Sequence, residues 1–287
     1  MRKILYCAIF ILAVGVFFQY GGKISQKTSE LAETLNNNST ISEIKKEIST
    51  SGPLRGPLDS SSQSNLTISG VIKWTNVSRQ QNGDLPPLSE NIKLNQAAQA
   101  KVKDMFAKQY FEHISPSGKG PADLAENVHY EYIAVGENLA LGNFKDDKAL
   151  VEAWMNSPGH RANILNSKYL EIGVAVGKGT YEGKTTWLAV QEFGKPLSSC
   201  PSVDSTLKLQ IESYKSETES LNIQIKEKKQ ELDSQDPKTK QEVEEYNRQV
   251  AEYNALIKIY NNKIDILKGL ISSYNNQVNA FNLCAGS

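Results

Sequence analysis

The chain has 287 residues, and 32 Lys plus Arg balance 32 Asp plus Glu. That length suits one medium domain with extra segments, and the cancelled charge leaves no net field to draw the chain to nucleic acid. Of the three cysteines, Cys7 lies in an apolar run, which leaves Cys200 and Cys284 as the candidate pair. Such a pair is consistent with an oxidising compartment.

Arg2 and Lys3 precede the uncharged run Ile4 to Phe18. A basic start followed by an apolar core is the pattern of an export signal. Gln19 and Tyr20 make a poor cleavage site, so residues 1–22 are expected to remain as a single-pass signal anchor in the cell membrane, with the bulk of the chain extracytoplasmic. A cleaved signal peptide and a secreted chain are the alternative. Residues 23–69 are rich in Ser, Thr and Asn, with Gly52-Pro53 and Gly56-Pro57. They carry little apolar surface to set against chain entropy, so a flexible linker is expected.

A folded domain is expected over residues 70–197. Thr75 is the expected cap of a short helix through Gln80. Leu94 to Tyr110 reads as a helix whose stripe Leu94, Ala97, Ala98, Val102, Met105 and Phe106 faces a core, with Lys101, Lys103, Asp104 and Lys108 opposite. Pro121 to Val128 reads as a second helix, and His129 as a surface loop residue. Lys148 to Asn156 forms another helix. Ser157-Pro158-Gly159 is expected to break it in a turn that delivers His160. Ile172 to Gly177 and Thr186 to Phe193 read as strands joined by a hairpin loop. Helices first and strands late imply an α+β fold with helices packed against an antiparallel sheet.

Residues 200–284 change character. Leu207, Ile211, Tyr214, Thr218, Leu221, Ile225 and Leu232 keep heptad spacing, and a longer run goes from Val243 to Phe281. Asp236-Pro237 separates the two. An antiparallel coiled-coil hairpin is expected, with a disulfide between Cys200 and Cys284 at its outer ends. Self-association through the long helix is the alternative.

Five blocks stand in order: F-E-H-I-S-P-S-G with His113, V-G-E-N-L-A with Glu137, W-M-N-S-P-G-H-R-A-N-I-L with His160, then L-E-I-G-V-A-V-G and W-L-A-V-Q-E-F-G. Together they resemble the CAP superfamily, the SCP-like extracellular domain of cysteine-rich secretory proteins, and the H-R-x-N-I-L form resembles its bacterial branch. The resemblance covers about Val71 to Pro196. It implies an α-β-α sandwich with two histidines and two acids lining a central cleft. His113, Glu137 and His160 match three of those positions. The second acid would stand three residues after Trp154, where this chain has Ser157; Glu152 and Glu192 are the possible stand-ins.

Two imidazoles and a carboxylate are a ligand set for a divalent metal such as zinc, with His113 and His160 as the histidine ligands. H-E-x-x-H and G-x-S-x-G are both absent, and no thiol lies near the histidines in sequence. The expected role is therefore binding of a lipid, glycan or cell-envelope component, with a metal-dependent extracellular hydrolase as the alternative. A Ser157–His160 pair stays open, although residues three apart around a turn rarely meet in attack geometry. Arg161 is expected to pair with a carboxylate and Asn163 to hold backbone.

Overall fold

Residues 171–181 alternate large and small: Ile172, Val174 and Val176 on one side, Gly173, Ala175, Gly177 and Gly179 on the other. In a strand, alternate residues face opposite sides of the sheet. One face is thus built for side-chain packing and the other for close approach of a helix. The computed structural model describes residues 40–58 and 65–286, so the expected membrane segment 1–22 and residues 23–39 lie outside the described residues.

In chain order the elements are β1 (Glu47–Thr50), β2 (Leu54–Arg55), α1 (Ile68–Gln81), β3 (Ser89–Glu90), α2 (Ile92–Lys108), α3 (Pro121–Asn127) and β4 (Tyr132–Leu141). There follow α4 (Asp147–Met155), α5 (Pro158–Ile164), β5 (Glu171–Tyr181), β6 (Lys184–Pro196), α6 (Ser205–Asp233) and α7 (Lys240–Ala285). The sheet runs β1-β4-β6-β5-β3, with β2 also on β4. β6 is antiparallel to β4 and to β5, whereas β1 and β2 lie parallel to β4, and β3 lies parallel to β5.

Helices cover both faces, so the fold is an α-β-α sandwich. On one face Val71, Leu150, Val151, Trp154 and Ile164 meet Ala140, Ile172, Val174, Ala189 and Phe193. On the other, Ala98, Val102 and Met105 of α2 meet Leu139, Leu141, Ala175, Leu188 and Val190. A Cβ on Gly173 would run into the α2 backbone at Leu94 and Asn95, and one on Gly177 would lie 2.8 Å from Val102. The small residues of β5 are what let α2 lie this close.

Several expectations are corrected. Segment 43–58 is not a free linker: β1 and β2 pair with β4, and Gly56 N–H donates to the Leu141 carbonyl at 2.8 Å. Backbone ladder bonds, rather than apolar burial, hold a segment whose composition reads as disordered. The helix expected to be capped by Thr75 is capped eight residues earlier by Thr67, whose hydroxyl accepts from Gly70 N–H. Thr75 instead donates its hydroxyl to the Val71 carbonyl inside the helix. Ser157-Pro158-Gly159 is not a free turn but the start of α5, with Pro158 in the first turn, where its missing N–H costs nothing. Lys101 is buried rather than outward. β5 and β6 extend through most of the expected hairpin loop and leave a turn at Glu182-Gly183. His129 is exposed, as expected of a loop residue.

In the C-terminal unit, α6 and α7 form an antiparallel hairpin. Lys263 pairs with Glu217, Lys228 with Glu252 at 3.5 Å, and Gln235 donates to Gln249, so rising numbers on one helix meet falling numbers on the other. Ile225 and Leu232 pack with Val250, Tyr253, Ile257, Tyr260 and Ile264, and Ile211 packs with Leu267 and Ile271. Cys200 and Cys284 are disulfide-bonded. Among the described residues no helix is long and apolar enough to cross a membrane.

A methyl group at Gly173 tests the close helix contact. Gly173→Ala is expected to cost about 1–3 kcal/mol, because backbone rather than a flexible side chain must give way. Urea unfolding followed by circular dichroism measures the loss; an unchanged midpoint would refute the packing argument.

Candidate functional site

β4 and β6 place Glu137 directly opposite Glu192. The two residues are 0% and 2% exposed. Two carboxylates so close and so dry cannot both ionise. Burial first, then the charge and hydrogen bond of Glu137, push Glu192 well above the usual carboxylate range. The pair therefore holds a proton. Lys101, also buried, places its charge where both acids feel it. Its ammonium donates to the His113 carbonyl at 2.6 Å. Burial lowers the Lys101 pKa, and the acids pull it back up, Glu137 more than Glu192.

His113 follows α2 and is held by a loop in which Ser115 Oγ accepts from Lys119 N–H at 3.0 Å. Its Nδ1 donates to Glu137 Oε1 at 2.6 Å, and its Nε2 donates to the backbone carbonyl of Ser51. His160 comes from α5. Its Nδ1 meets Ser157 Oγ at 2.8 Å, so these two residues are hydrogen-bonded. One helical turn, not a loose turn, brings them together. Burial, and next the charge of His113, lower the His160 pKa to about 4, and its ring is neutral near neutral pH.

Amides fill the next layer. Asn138 donates to the His160 carbonyl at 3.2 Å and to Gln191 Oε1 at 3.1 Å, and Gln191 donates to Thr75 Oγ1 at 2.7 Å. Asn163 donates to the Glu137 carbonyl at 3.2 Å, the backbone role expected of it, and to Asn138 Oδ1 at 3.0 Å. Trp154 Nε1 donates to the Leu139 carbonyl at 3.2 Å and pins α4 to β4. Apart from the bond that joins the two carboxyls, Glu137 Oε2 and Glu192 Oε1 have no hydrogen-bond partner.

The structure thus brings His113, Glu137, Glu192, Ser157, His160 and Asn163 into one region. Glu152 is elsewhere, exposed and 3.5 Å from Lys148. Arg161 does not meet a carboxylate; it donates to Asn82 Oδ1 at 2.8 Å, because α5 turns it outward toward the end of α1. Sequence reasoning missed Lys101, Asn138 and Ser51. Lys101 stands four residues after Ala97 and four before Met105, so its place on the buried stripe was readable. As arranged, the donors do not fit a metal ion. Both His113 nitrogens are engaged, and among the described residues no group of three His, Cys, Asp or Glu side chains is placed to hold one.

A helix-covered mixed sheet with a buried His/Glu cluster at its centre is the arrangement of a CAP domain. Residues 73–193 match the family described as the cysteine-rich secretory protein family, CAP, and this part of the chain is a CAP domain of bacterial type. It is 42% identical over 123 residues to the uncharacterized protein YkwD of Bacillus subtilis (strain 168), covering 43% of this chain and 45% of that protein. It is 36% identical over 111 residues to the uncharacterized membrane protein YlbC of the same strain, covering 39% of this chain and 32% of that one. The chain therefore spans less than half the length of these relatives. A solved extracellular protein containing an SCP domain from Bacillus anthracis str. Ames is 30% identical, with a TM-score of 0.39 over 45% of this chain and 40% of that chain.

The buried titratable groups set opposite pH limits. Glu192 has a folded-state pKa above its unfolded value, so its contribution is present at low pH and is lost as pH rises from about 4.5 upward. His160 has a lowered folded-state pKa, so stability is lost as pH falls from 6.5 toward about 4. Glu192→Gln is expected to remove the alkaline limb, with a gain over wild type that grows by up to about 1.4 kcal/mol per pH unit. Urea melts across the pH range check this; parallel curves for the two proteins would exclude a proton held in the pair.

Proposed function

We propose that this chain is an extracytoplasmic envelope protein whose CAP domain binds a lipid, glycan or other cell-envelope component in the cleft of His113, Glu137, Glu192 and His160. The buried cluster carries this reading: beyond the bond between the two carboxyls, Glu137 Oε2 and Glu192 Oε1 have no hydrogen-bond partner. A buried polar atom left without a partner costs about 1–3 kcal/mol. A ligand with hydroxyl or amide groups supplies what the protein itself does not. Export is supported by the basic-then-apolar start at Arg2 to Phe18, by the Cys200–Cys284 disulfide and by the relative named a membrane protein. The N-terminal segment would then tether the domain to the membrane.

Hydrolysis is the second reading, and one observation favours it: a carboxyl pair holding a proton beside an imidazole is an acid–base arrangement. Against it, His160 is too weak a base, at a pKa of about 4, to activate Ser157 well.

Cosedimentation of the full chain with purified cell wall, and separately with phospholipid vesicles, tests the proposal. Saturable binding to one of them is expected, and His113→Ala and Glu192→Gln should each weaken it at least about 10-fold, or about 1.4 kcal/mol. Equal binding by all three proteins would remove the cleft from the interaction. Release of soluble wall fragments, reduced about 100-fold or more by Glu192→Gln, would favour the hydrolase.

A further inference from the structure

The segment that passes over the cleft occupies it as a ligand would. β1 adds to the outer edge of β4 in parallel register, from Glu47 opposite Ala134 to Thr50 opposite Glu137. The next residue, Ser51, gives its backbone carbonyl to His113 Nε2. Its other side faces α5, where a Cβ on Gly159 would lie 2.7 Å from Ser51 Cβ. Ser51 therefore sits between the loop that carries His113 and the helix that carries His160. Ser49 donates its hydroxyl to Asn163 Oδ1 at 2.6 Å, and Ser51 Oγ lies 3.4 Å from Asn138 Oδ1. The strap thus touches His113 and the amide layer of the site, yet gives no hydrogen bond to Glu137 Oε2 or Glu192 Oε1.

Two further contacts fasten this end of the strap: Ser49 hydrogen-bonds the Tyr169 side chain, and Lys46 lies over the Tyr132 ring at 4.6 Å; no apolar side chain of β1 is buried. Ile48 is 54% exposed. The ion pairs Lys46–Glu126 at 2.8 Å and Lys168–Glu47 at 2.9 Å are exposed, and such pairs contribute at most about 1 kcal/mol each. The far end is firmer: Gly56 is bonded to Leu141 and covered by the Phe144 ring. An edge strand held by ladder bonds can be exchanged for another strand of the same geometry.

We propose that residues 47–55 are the chain's own occupant of a peptide groove along β4, and that the ligand displacing them is an extended peptide lying parallel to β4 and offering His113 a backbone carbonyl. This rests on the reading of the cleft as a binding site and narrows its ligand. A peptide fits better than a lipid or a sugar because the β4 edge presents N–H and C=O groups at strand spacing. The strap residues that pass the site, Ser49, Ser51 and Gly52, are small, and Gly159 leaves room for only a small residue.

The test uses the full chain and a fluorescent peptide with the sequence of residues 45–57. Ser49→Pro combined with Thr50→Pro removes whichever of these amides faces β4 and should release the strap. The peptide is expected to bind this variant at least about 10-fold more tightly than wild type, and His113→Ala added to the variant should cost about 10-fold. Equal affinity for both proteins, or no binding to a variant whose circular dichroism is native, overturns the proposal. Wall or vesicle binding that still depends on His113 in that case leaves the broader reading standing. Hydrogen exchange covers a variant that fails to fold. In the wild-type chain, amides 47–55 should exchange at least about 10-fold faster than β4 and β6, and faster still in Gly159→Ala. Exchange of the strap only together with the sheet, in both proteins, also overturns the proposal.

Discussion

Two acids opposite each other on neighbouring buried strands set the terms for the rest of the domain. Like charges at directly opposed positions repel, and here almost no water separates them. The pair persists because it keeps a proton, because Lys101 stands near it and because His113 donates to Glu137. Lys101 can reach that place only if α2 lies close on the sheet. That closeness depends in turn on Gly173, Ala175 and Gly177 of β5. A run of small residues on β5 thus makes a charged cluster tolerable on the next two strands, β6 and β4.

The opposite face of the same strands carries amides instead of charges. Asn138 and Gln191 neighbour Glu137 and Glu192 in sequence, so the pleat sends them to the other side. There they bond to Thr75, Asn163 and the His160 backbone. The central strands are covered on both faces, so every polar group on them needs a partner from a helix. Arg79 plays a similar role at the rim, donating from a buried guanidinium to the carbonyls of Ile164 and Asn166 at 2.7 and 2.9 Å and to that of Pro86. It ties α1 to the end of α5 without any acid.

Much of this was legible in the sequence. Helical spacing located α2, and an apolar stretch with β-branched residues located β5. Ordered motif blocks located His113, Glu137 and His160, and the heptads located the antiparallel hairpin. The failures have physical causes. β4 was missed because its polar residues Glu137 and Asn138 interrupt the apolar pattern that marks a buried strand. β1 and β2 were missed because edge strands can be held by backbone bonds, which composition does not record. Lys101 was turned outward because charge was weighed above helical position, although its spacing from Ala97 and Met105 placed it inward. Glu192 could be named as a stand-in acid, but its partnership with Glu137 depends on strand register, which one sequence does not reveal.

The strap over His113 belongs to the same chain as the site it covers, and tethering changes competition. A tethered segment acts at an effective concentration on the order of millimolar, whatever the concentration of the protein. Dilution does not remove it. A free ligand of the same intrinsic affinity has to exceed that local concentration before it wins half of the sites. For the peptide groove proposed above, affinities measured on the intact chain would therefore be weaker than those of the groove itself, and the gap would report how firmly the strap is held.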